Sequence, residues 1–481
     1  MRKVIRAAPT LPPPSGLPPE RNLAPRDITG LANALRDYHA QFAALFQREE
    51  QRHWSLAYLE GQMLELERKS IEPMALALEG GDVQALQQFI SQATWDAAAL
   101  LARHQEVVAD TLGDAETGVL ILDGCDYPKQ GSYSVGVTRQ WCGALGKVAN
   151  CQASVVACYA SARGYTLVDR RLYLPKPWFT PAYQTRRDRC GVPPDMPFQT
   201  QPQLAWALIA TLHRRGVLPF RWVTCDEHFG NNPVLLDRIA HAGLRYLAEV
   251  PHDTRVWPTR PPTVLRPGRH GRPPRLRLAP GAPDAQRVDH LAAQMPAEHW
   301  TRHTIKEGAK GPLVADFAAR RAVAVRAGQP GPDVWVIFRR SVGDTPELKT
   351  YLSNAPAATP LATFVRLSGM RWPVESAIKE CKGELGLDHY EVRGWQGWHH
   401  HTALTFLSHH FLVRIRLRLG EKSSGADRAP GPRPAPSRAA PPSPRPRDGA
   451  GPARLRPAAE LRRLPLPSPP HATPARFVLT T

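Results

Sequence analysis

Between Ile28 and about Thr111, apolar side chains return every three or four positions, as in Phe42, Leu45 and Phe46 and then Leu56, Leu59, Met63 and Leu66. That step is the pitch of an α-helix, so residues 28–111 are expected to form a helical domain, with Gly80-Gly81 parting two of its helices. From Gly118 the period changes. Short β-type runs with glycine and polar turns between them occupy Val119–Leu122, Ala153–Tyr159 and Tyr165–Leu172, and they read as a three-stranded antiparallel meander. A helical stretch Leu204–Arg215 closed by Gly216 follows, then a strand Arg221–Cys225, a helix opening after Asn231-Asn232-Pro233, and a strand Arg245–Val250.

Three strands followed by alternating helix and strand is the order of a ribonuclease H-like core, an α/β fold in which helices flank a mixed sheet. Pro/Arg/Gly-rich stretches and β-like pieces such as Val334–Arg339 interrupt that plan. The expected organisation is a Pro-rich arm over residues 1–27, a helical and DNA-binding domain over 28–111, and the first part of the core over 112–250. A β-rich insertion over 251–352, the last part of the core over 353–420, and a disordered tail over 421–481 complete it.

Composition narrows the partner. The 481 residues carry a formal net charge of +19. Residues 421–481 hold eleven Lys/Arg against four Asp/Glu, so the rest of the chain keeps +12. A basic surplus of that size points to a polyanion, and nucleic acid leads. Seven cysteines without a Cys-x-x-Cys pair indicate neither a disulfide framework nor a zinc ribbon, which fits a reducing cytoplasm. No apolar run approaches the roughly 20 residues of a membrane span, and no membrane partner is expected.

Three carboxylates then suggest the chemistry. Asp123 ends the run Gly-Val-Leu-Ile-Leu-Asp, Asp226 ends Phe-Arg-Trp-Val-Thr-Cys-Asp, and Glu375 opens a polar helix in Arg-Trp-Pro-Val-Glu. Acids at strand ends stand at the rim of a sheet, where three that converge can hold two Mg²⁺ through hard oxygen ligands, with Mn²⁺ as a substitute. Around Glu375 the spacing is Arg371-x3-Glu375-x6-Lys382. Seven residues make about two helical turns, so Glu375 and Lys382 share a face on which one can bind metal and the other a phosphate. The charges alone also suit an ordinary surface pair between Glu375 and Lys379.

At these residues the chain resembles the bacterial insertion-sequence DDE transposases whose third catalytic block carries a Tyr-Arg-Glu-Lys signature. The likeness covers most of residues 30–420. It is carried by Asp123–Gly131 (Asp-Gly-Cys-Asp-Tyr-Pro-Lys-Gln-Gly), Ser134–Gln140, Gly146–Gln152 and Lys382–Glu391 (Lys-Gly-Glu-Leu-Gly-Leu-Asp-His-Tyr-Glu). The resemblance implies that Asp123, Asp226 and Glu375 form a catalytic, metal-binding triad, with Arg371 and Lys382 as phosphate-binding partners. The signature tyrosine has no match; Ser368 stands in its place. The resemblance further implies an enzyme of the bacterial cytoplasm and nucleoid that binds terminal inverted repeats in double-stranded DNA. It would hydrolyse a phosphodiester to free a 3′-hydroxyl and direct that hydroxyl at target DNA, as a dimer or larger assembly on paired ends. Asp126, three residues beyond Asp123, is the rival first carboxylate but is expected in a turn past the strand. Lys129, Arg139 and Lys147 border the first carboxylate and are candidate DNA contacts, as are Arg48, Arg52, Arg68 and Lys69 in the helical domain.

Other features carry less. His399, His400, His401, His409 and His410 lie on one helical stretch and read as packing rather than as a transition-metal site. Trp257, Trp300 and Trp335 are candidates for stacking on an extruded base, with core packing the plainer reading. Paired carboxylates also suit a glycosidase, which the net basicity opposes. From Glu421 apolar periodicity ends abruptly in Pro, Ala, Arg and Ser, as a frameshift in GC-rich DNA would produce. That tail keeps a second class of function open: a protein that occupies transposon ends without cutting them.

Overall fold

The computed structural model describes residues 25–266, 274–306, 312–343 and 345–426. The expected Pro-rich arm lies outside these residues apart from positions 25–27, which open the first helix. Nearly all of the expected tail, with its inferred disorder and frameshift, lies outside them too; Glu421–Ala426 continue the last helix.

Five helices come first: α1 (Pro25–Ala40), α2 (Glu49–Met63), α3 (Ile71–Ala77), α4 (Val83–Ser91) and α5 (Ala97–Leu112). Their starts follow from local chemistry. Asp82 and Asp96 each cap a helix by accepting two backbone N–H groups of its first turn. Gly80, with φ +68°, turns the chain between α3 and α4 in a conformation that side chains with a Cβ rarely adopt. Leu35, Tyr38, Phe42, Phe46, Leu59, Met74, Leu86 and Leu100 are buried, so the helical periodicity marks a packed face.

The strands β1 (Val119–Pro128), β2 (Thr138–Cys142), β3 (Lys147–Ser161) and β4 (Gly164–Tyr173) come next. Helices α6 (Gln184–Arg189) and α7 (Gln201–Arg215) lead to β5 (Trp222–Cys225). The short α8 (Glu227–Gly230), α9 (Pro233–His241) and β6 (Arg245–Val250) follow. β1 pairs antiparallel with β3, β3 antiparallel with β4, β1 parallel with β5, and β5 parallel with β6. This is the strand order expected of the ribonuclease H-like core, a mixed sheet flanked by helices. Val119–Leu122 are fully enclosed at four consecutive positions, because central strands are covered on both faces; each such side chain contributes about 1.5–3 kcal/mol through burial. Two differences from expectation matter for the site. β2 is an additional edge strand, and β1 runs through Pro128, so Asp126 lies within a strand, opposite Ala153, and not in a turn.

Residues beyond Val250 form β7 (Arg255–Trp257), β8 (Thr263–Arg266), β9 (Arg275–Leu278), β10 (Gln286–Arg287) and α10 (Val288–Ala293). They continue as β11 (Thr301–Lys306), β12 (Leu313–Arg326), β13 (Gln329–Ser341) and β14 (Leu348–Ser353). β14 pairs with β6, β13 with β14, and β12 with β13, so most of this segment extends the core sheet to twelve strands. Only β8 and β9 form a separate hairpin among the described residues. The hydrogen-bond ladder explains the continuity: β6 would otherwise expose an unpaired edge. Three helices close the fold: α11 (Leu361–Gly369), α12 (Trp372–Gly383) and α13 (Trp395–Ala426). From His400 to Val413, α13 is buried all round, as befits a central helix. Among the described residues no helix is long and apolar enough to cross a membrane.

Candidate active site

Register places the acids. Leu122 of β1 lies opposite Cys225 of β5, and Cys225 lies opposite Ala248 of β6. The next residue along each strand direction is therefore Asp123 in the middle of β1, Asp226 just past the end of β5 and Glu249 within β6, level with one another. Neighbouring strands are about 4.8 Å apart, and level residues project to the same face, so three carboxylates form a row. Asp226 also caps α8, its Oδ1 accepting the Phe229 N–H at 3.3 Å. α8 must sit tight against β6: a Cβ on Gly230 would lie 1.9 Å from the Glu249 carbonyl oxygen.

Helix α12 brings the opposite charge. Arg371 stands at its N-cap with Pro373 in the first turn, a residue whose fixed φ suits a helix start. Arg371 Nη2 donates to Glu375 Oε1 at 2.7 Å, and its Nε lies 3.7 Å from Glu249 Oε2. Burial opposes the guanidinium's charge, yet Asp123, then Glu249, Asp226 and Glu375, together hold it protonated. Its Nη1 is enclosed without a hydrogen-bond acceptor. Burial, then the neighbouring Asp226, pushes the Asp123 carboxyl up to about 7; Arg371 and the Gly124 N–H only partly offset this, and Glu375 adds to it. The five residues thus share one electrostatic site.

Glu249 was not among the acids singled out in the sequence. It is buried, and Lys349 Nζ donates to its Oε1 at 2.9 Å. Its one available signal was an acid directly after the apolar stretch Tyr246–Ala248; its partner Lys349 comes 100 residues later.

The remaining candidates divide by what their charges meet. Lys382 Nζ donates to the Asp126 carbonyl at 2.6 Å, so this lysine ties α12 to β1. The Asp126 carboxylate accepts the Gly143 N–H at 2.6 Å, just past β2. Lys129, expected at phosphate, instead donates to the Tyr390 carbonyl at 3.0 Å and lies 3.5 Å from the centre of that ring; burial lowers its pKa to about 8. Lys69 is buried likewise, donating to the carbonyls of Gln62 and Glu384. Arg68 pairs with Glu391 at 2.6 Å, and Arg52 donates to the Phe46 carbonyl. Arg139 and Lys147 are exposed. Ser368 is buried and donates to the Val365 carbonyl, which closes the signature-tyrosine position to DNA. Trp257 is buried with its Nε1–H on the Pro283 carbonyl, and the indole N–H of Trp335 donates to the Pro356 carbonyl. The Arg340 guanidinium lies 4.2 Å from the Trp300 ring centre.

The family profile of the DDE superfamily endonucleases matches residues 41–312. The chain belongs to that family. In this DDE endonuclease the matched segment holds Asp123, Asp226 and Glu249, while Arg371, Glu375 and Lys382 lie beyond it. Two solved structures are similar in part. One is a piggyBac transposase synaptic complex with hairpin DNA, at 10% identity and a TM-score of 0.37, over 82% of this chain and 74% of that one. The other is the NurA nuclease from Sulfolobus solfataricus, at 9% identity and a TM-score of 0.25, over 69% and 94%. No curated protein matches the sequence.

Enzymes of the DDE superfamily generally work with divalent metal ions. Among the described residues no three Asp, Glu, His or Cys side chains are drawn together as a ready metal cluster; Arg371 balances the acids instead. The donor set suits a hard divalent cation all the same. Carboxylate oxygens are the ligands such ions prefer, and the raised Asp123 carboxyl marks a place where added positive charge is favourable.

Proposed function

We propose that this endonuclease is the transposase of an insertion sequence, cutting double-stranded DNA at terminal inverted repeats and joining the freed end to target DNA. The observation that carries the reading is the gathering of Asp123, Asp226 and Glu375 around the single guanidinium of Arg371, at the level where β5 ends. Asp123, Asp226 and Glu375 would hold Mg²⁺, two ions in full occupancy, with Mn²⁺ as substitute. Bound there, the metal supplies Lewis acidity to the phosphodiester and to the oxygens that attack and leave it.

The chain's own residues set the geometry. Asp123 and Asp226 come from paired strands whose separation the hydrogen-bond ladder fixes, so this part of the site is rigid. Glu375 projects from a helix and is half exposed, so it is the adjustable member. Arg371 has an unpartnered Nη1 and would offer that donor to a phosphate oxygen. In the first step a water oxygen bonds to phosphorus as the bond to the 3′-oxygen breaks, leaving a 3′-hydroxyl and a 5′-phosphate. In the second, that 3′-oxygen bonds to a target phosphorus and expels the target strand's 3′-oxygen. The net charge of +19 supports the long contact with phosphate that both steps require.

The test is Mg²⁺-dependent cleavage of DNA carrying the inverted repeats that flank the gene, comparing the chain with Asp226→Asn. Loss of cutting with retained DNA binding in the variant supports the reading. Binding without cutting in both proteins supports the second reading, an end-binding protein that competes for transposon ends, and overturns the first.

A further inference from the structure

We propose that the β2–β3 hairpin grips unpaired bases of the DNA end beside the carboxylate row. The inference rests on the reading of this chain as an enzyme acting on DNA. β2 is a terminal strand of the sheet, and the tip that joins it to β3 carries the exposed Trp141 (64%), Leu145 (47%) and Val148 (50%). Trp141 and Val148 lie opposite one another in the β2–β3 register and form one apolar surface. A solvent-facing indole on an edge strand is an aggregation liability unless something covers it.

Charge identifies the occupant. From Tyr127 to Val168 the sequence holds Lys129, Arg139, Lys147 and Arg163 and no Asp or Glu. Arg139, two residues before Trp141 on the same face of β2, and Lys147, opposite Cys142 at the tip, are exposed, unlike Lys129. An indole with a cation on its own face and a second at the same hairpin tip matches a nucleic-acid strand whose bases stack while its phosphates pair, and only unpaired bases offer their faces.

The hairpin is also anchored to the chemistry. The Asp126 carboxylate accepts the Gly143 N–H at the tip, and the Asp126 carbonyl accepts from Lys382 of the Glu375 helix. Asp126 follows Asp123 on the same strand by three residues, about 10 Å of extended chain. The rival carboxylate thereby acquires a role of its own, as the strut that fixes the hairpin at a set distance from the cutting site. Gly146, with φ +60°, makes the tight turn into β3.

The experiment measures binding of the full chain to a fluorescent duplex with one frayed end and to the same duplex fully paired, by anisotropy in EDTA. Trp141→Ala is expected to weaken binding of the frayed duplex by about tenfold and to leave the paired duplex unchanged, while Trp141→Phe stays within about twofold on both. The double variant Arg139→Ala/Lys147→Ala is expected to weaken both duplexes alike and flatten the salt dependence. Equal affinity of Trp141→Ala and wild type for the frayed duplex overturns the proposal. So does a change in subunit count on size exclusion with DNA binding intact, which would make the tip an interface between copies. Failure of the wild type to bind either duplex overturns this proposal together with the DNA reading. Loss of cleavage in Asp226→Asn beside normal frayed-end binding by Trp141→Ala overturns this proposal alone.

Discussion

Two clusters of polar side chains lie inside this molecule, the imidazoles of α13 and the carboxylates at the sheet, and they are built on opposite rules. Along α13 most polar groups are matched. His400 contacts the carbonyls of Ile90 and Trp95, His401 joins Tyr58 and the Leu387 carbonyl, and His409 joins Thr166 and Glu380. His399 Nε2 and His410 Nε2 are left without partners. Burial drives His401 to about 3 and His400 to about 4, so these rings are neutral donors and acceptors. At the sheet, Asp123, Asp226, Glu249 and Glu375 face two cations, Arg371 and the Lys349 that pairs with Glu249, and the balance does not close. Matched neutral polarity holds helices together; unmatched charge is a standing demand for a cation. The histidine-rich stretch and the acids at β1, β5 and α12 are equally conspicuous in the sequence, and this difference in matching sets them apart.

Asp123→Asn breaks the comparison most sharply. Removing one carboxylate is expected to reduce Mg²⁺-dependent cleavage by roughly a thousandfold in a nicking assay, the scale of losing a metal ligand. The same change is expected to raise the melting temperature of the metal-free protein at pH 8 by about 2–4 °C, seen by circular dichroism. The sign follows from the folded carboxyl titrating near 7 against an ordinary value of 3.8. The folded state binds more protons between those values, so stability falls as pH rises through that window and the neutral amide escapes the loss. No stability gain at pH 8 would mean that the acids are not in conflict.

Acid tests the imidazoles. His39, His104 and His400 titrate near 4 in the fold against 6.5 when free. The unfolded chain therefore binds more protons below about 6.5, and stability is lost as pH falls from there toward 4. A drop in melting temperature of roughly 10 °C from pH 7 to pH 5 is expected. A flat profile would show that these rings are not buried neutral.

Glu249→Gln sharpens the carboxylate cluster. It keeps the shape of the side chain and frees Lys349 and Arg371 from its charge, with an expected loss of about tenfold in cleavage and little change in DNA binding. Smallest of all, Asp126→Asn keeps an acceptor for the Gly143 N–H. It is expected to cut within about tenfold of wild type, which separates a strut from a metal ligand.

Much of the core was legible. The runs at Val119, Ala153, Tyr165, Trp222 and Arg245 are rich in β-forming residues, bounded by turns, and appear as strands in the anticipated order. What escaped was long-range. β2 escaped because among its five residues only Cys142 is buried, so it has no apolar alternation to read. The pairing of β14 with β6 joins Thr350 to Val250, and nothing in either segment names its partner. Glu249 escaped for the same reason, its meaning lying in Lys349 and Arg371. Lys129, Lys69 and Lys382 read as surface cations because composition cannot tell an ammonium in solvent from one lodged on a carbonyl.

The ladder between β6 and β14 has a consequence for the order of synthesis. A nascent chain that has reached Val250 already carries Asp123, Asp226 and Glu249, yet β6 is still an open edge, because the strand that closes it ends at Ser353. Glu375 and the balancing Arg371 follow within two dozen residues of that closure. Edge capping and completion of the carboxylate set therefore happen almost together on the ribosome, and shorter products are sticky and incomplete rather than soluble and able to nick the genome.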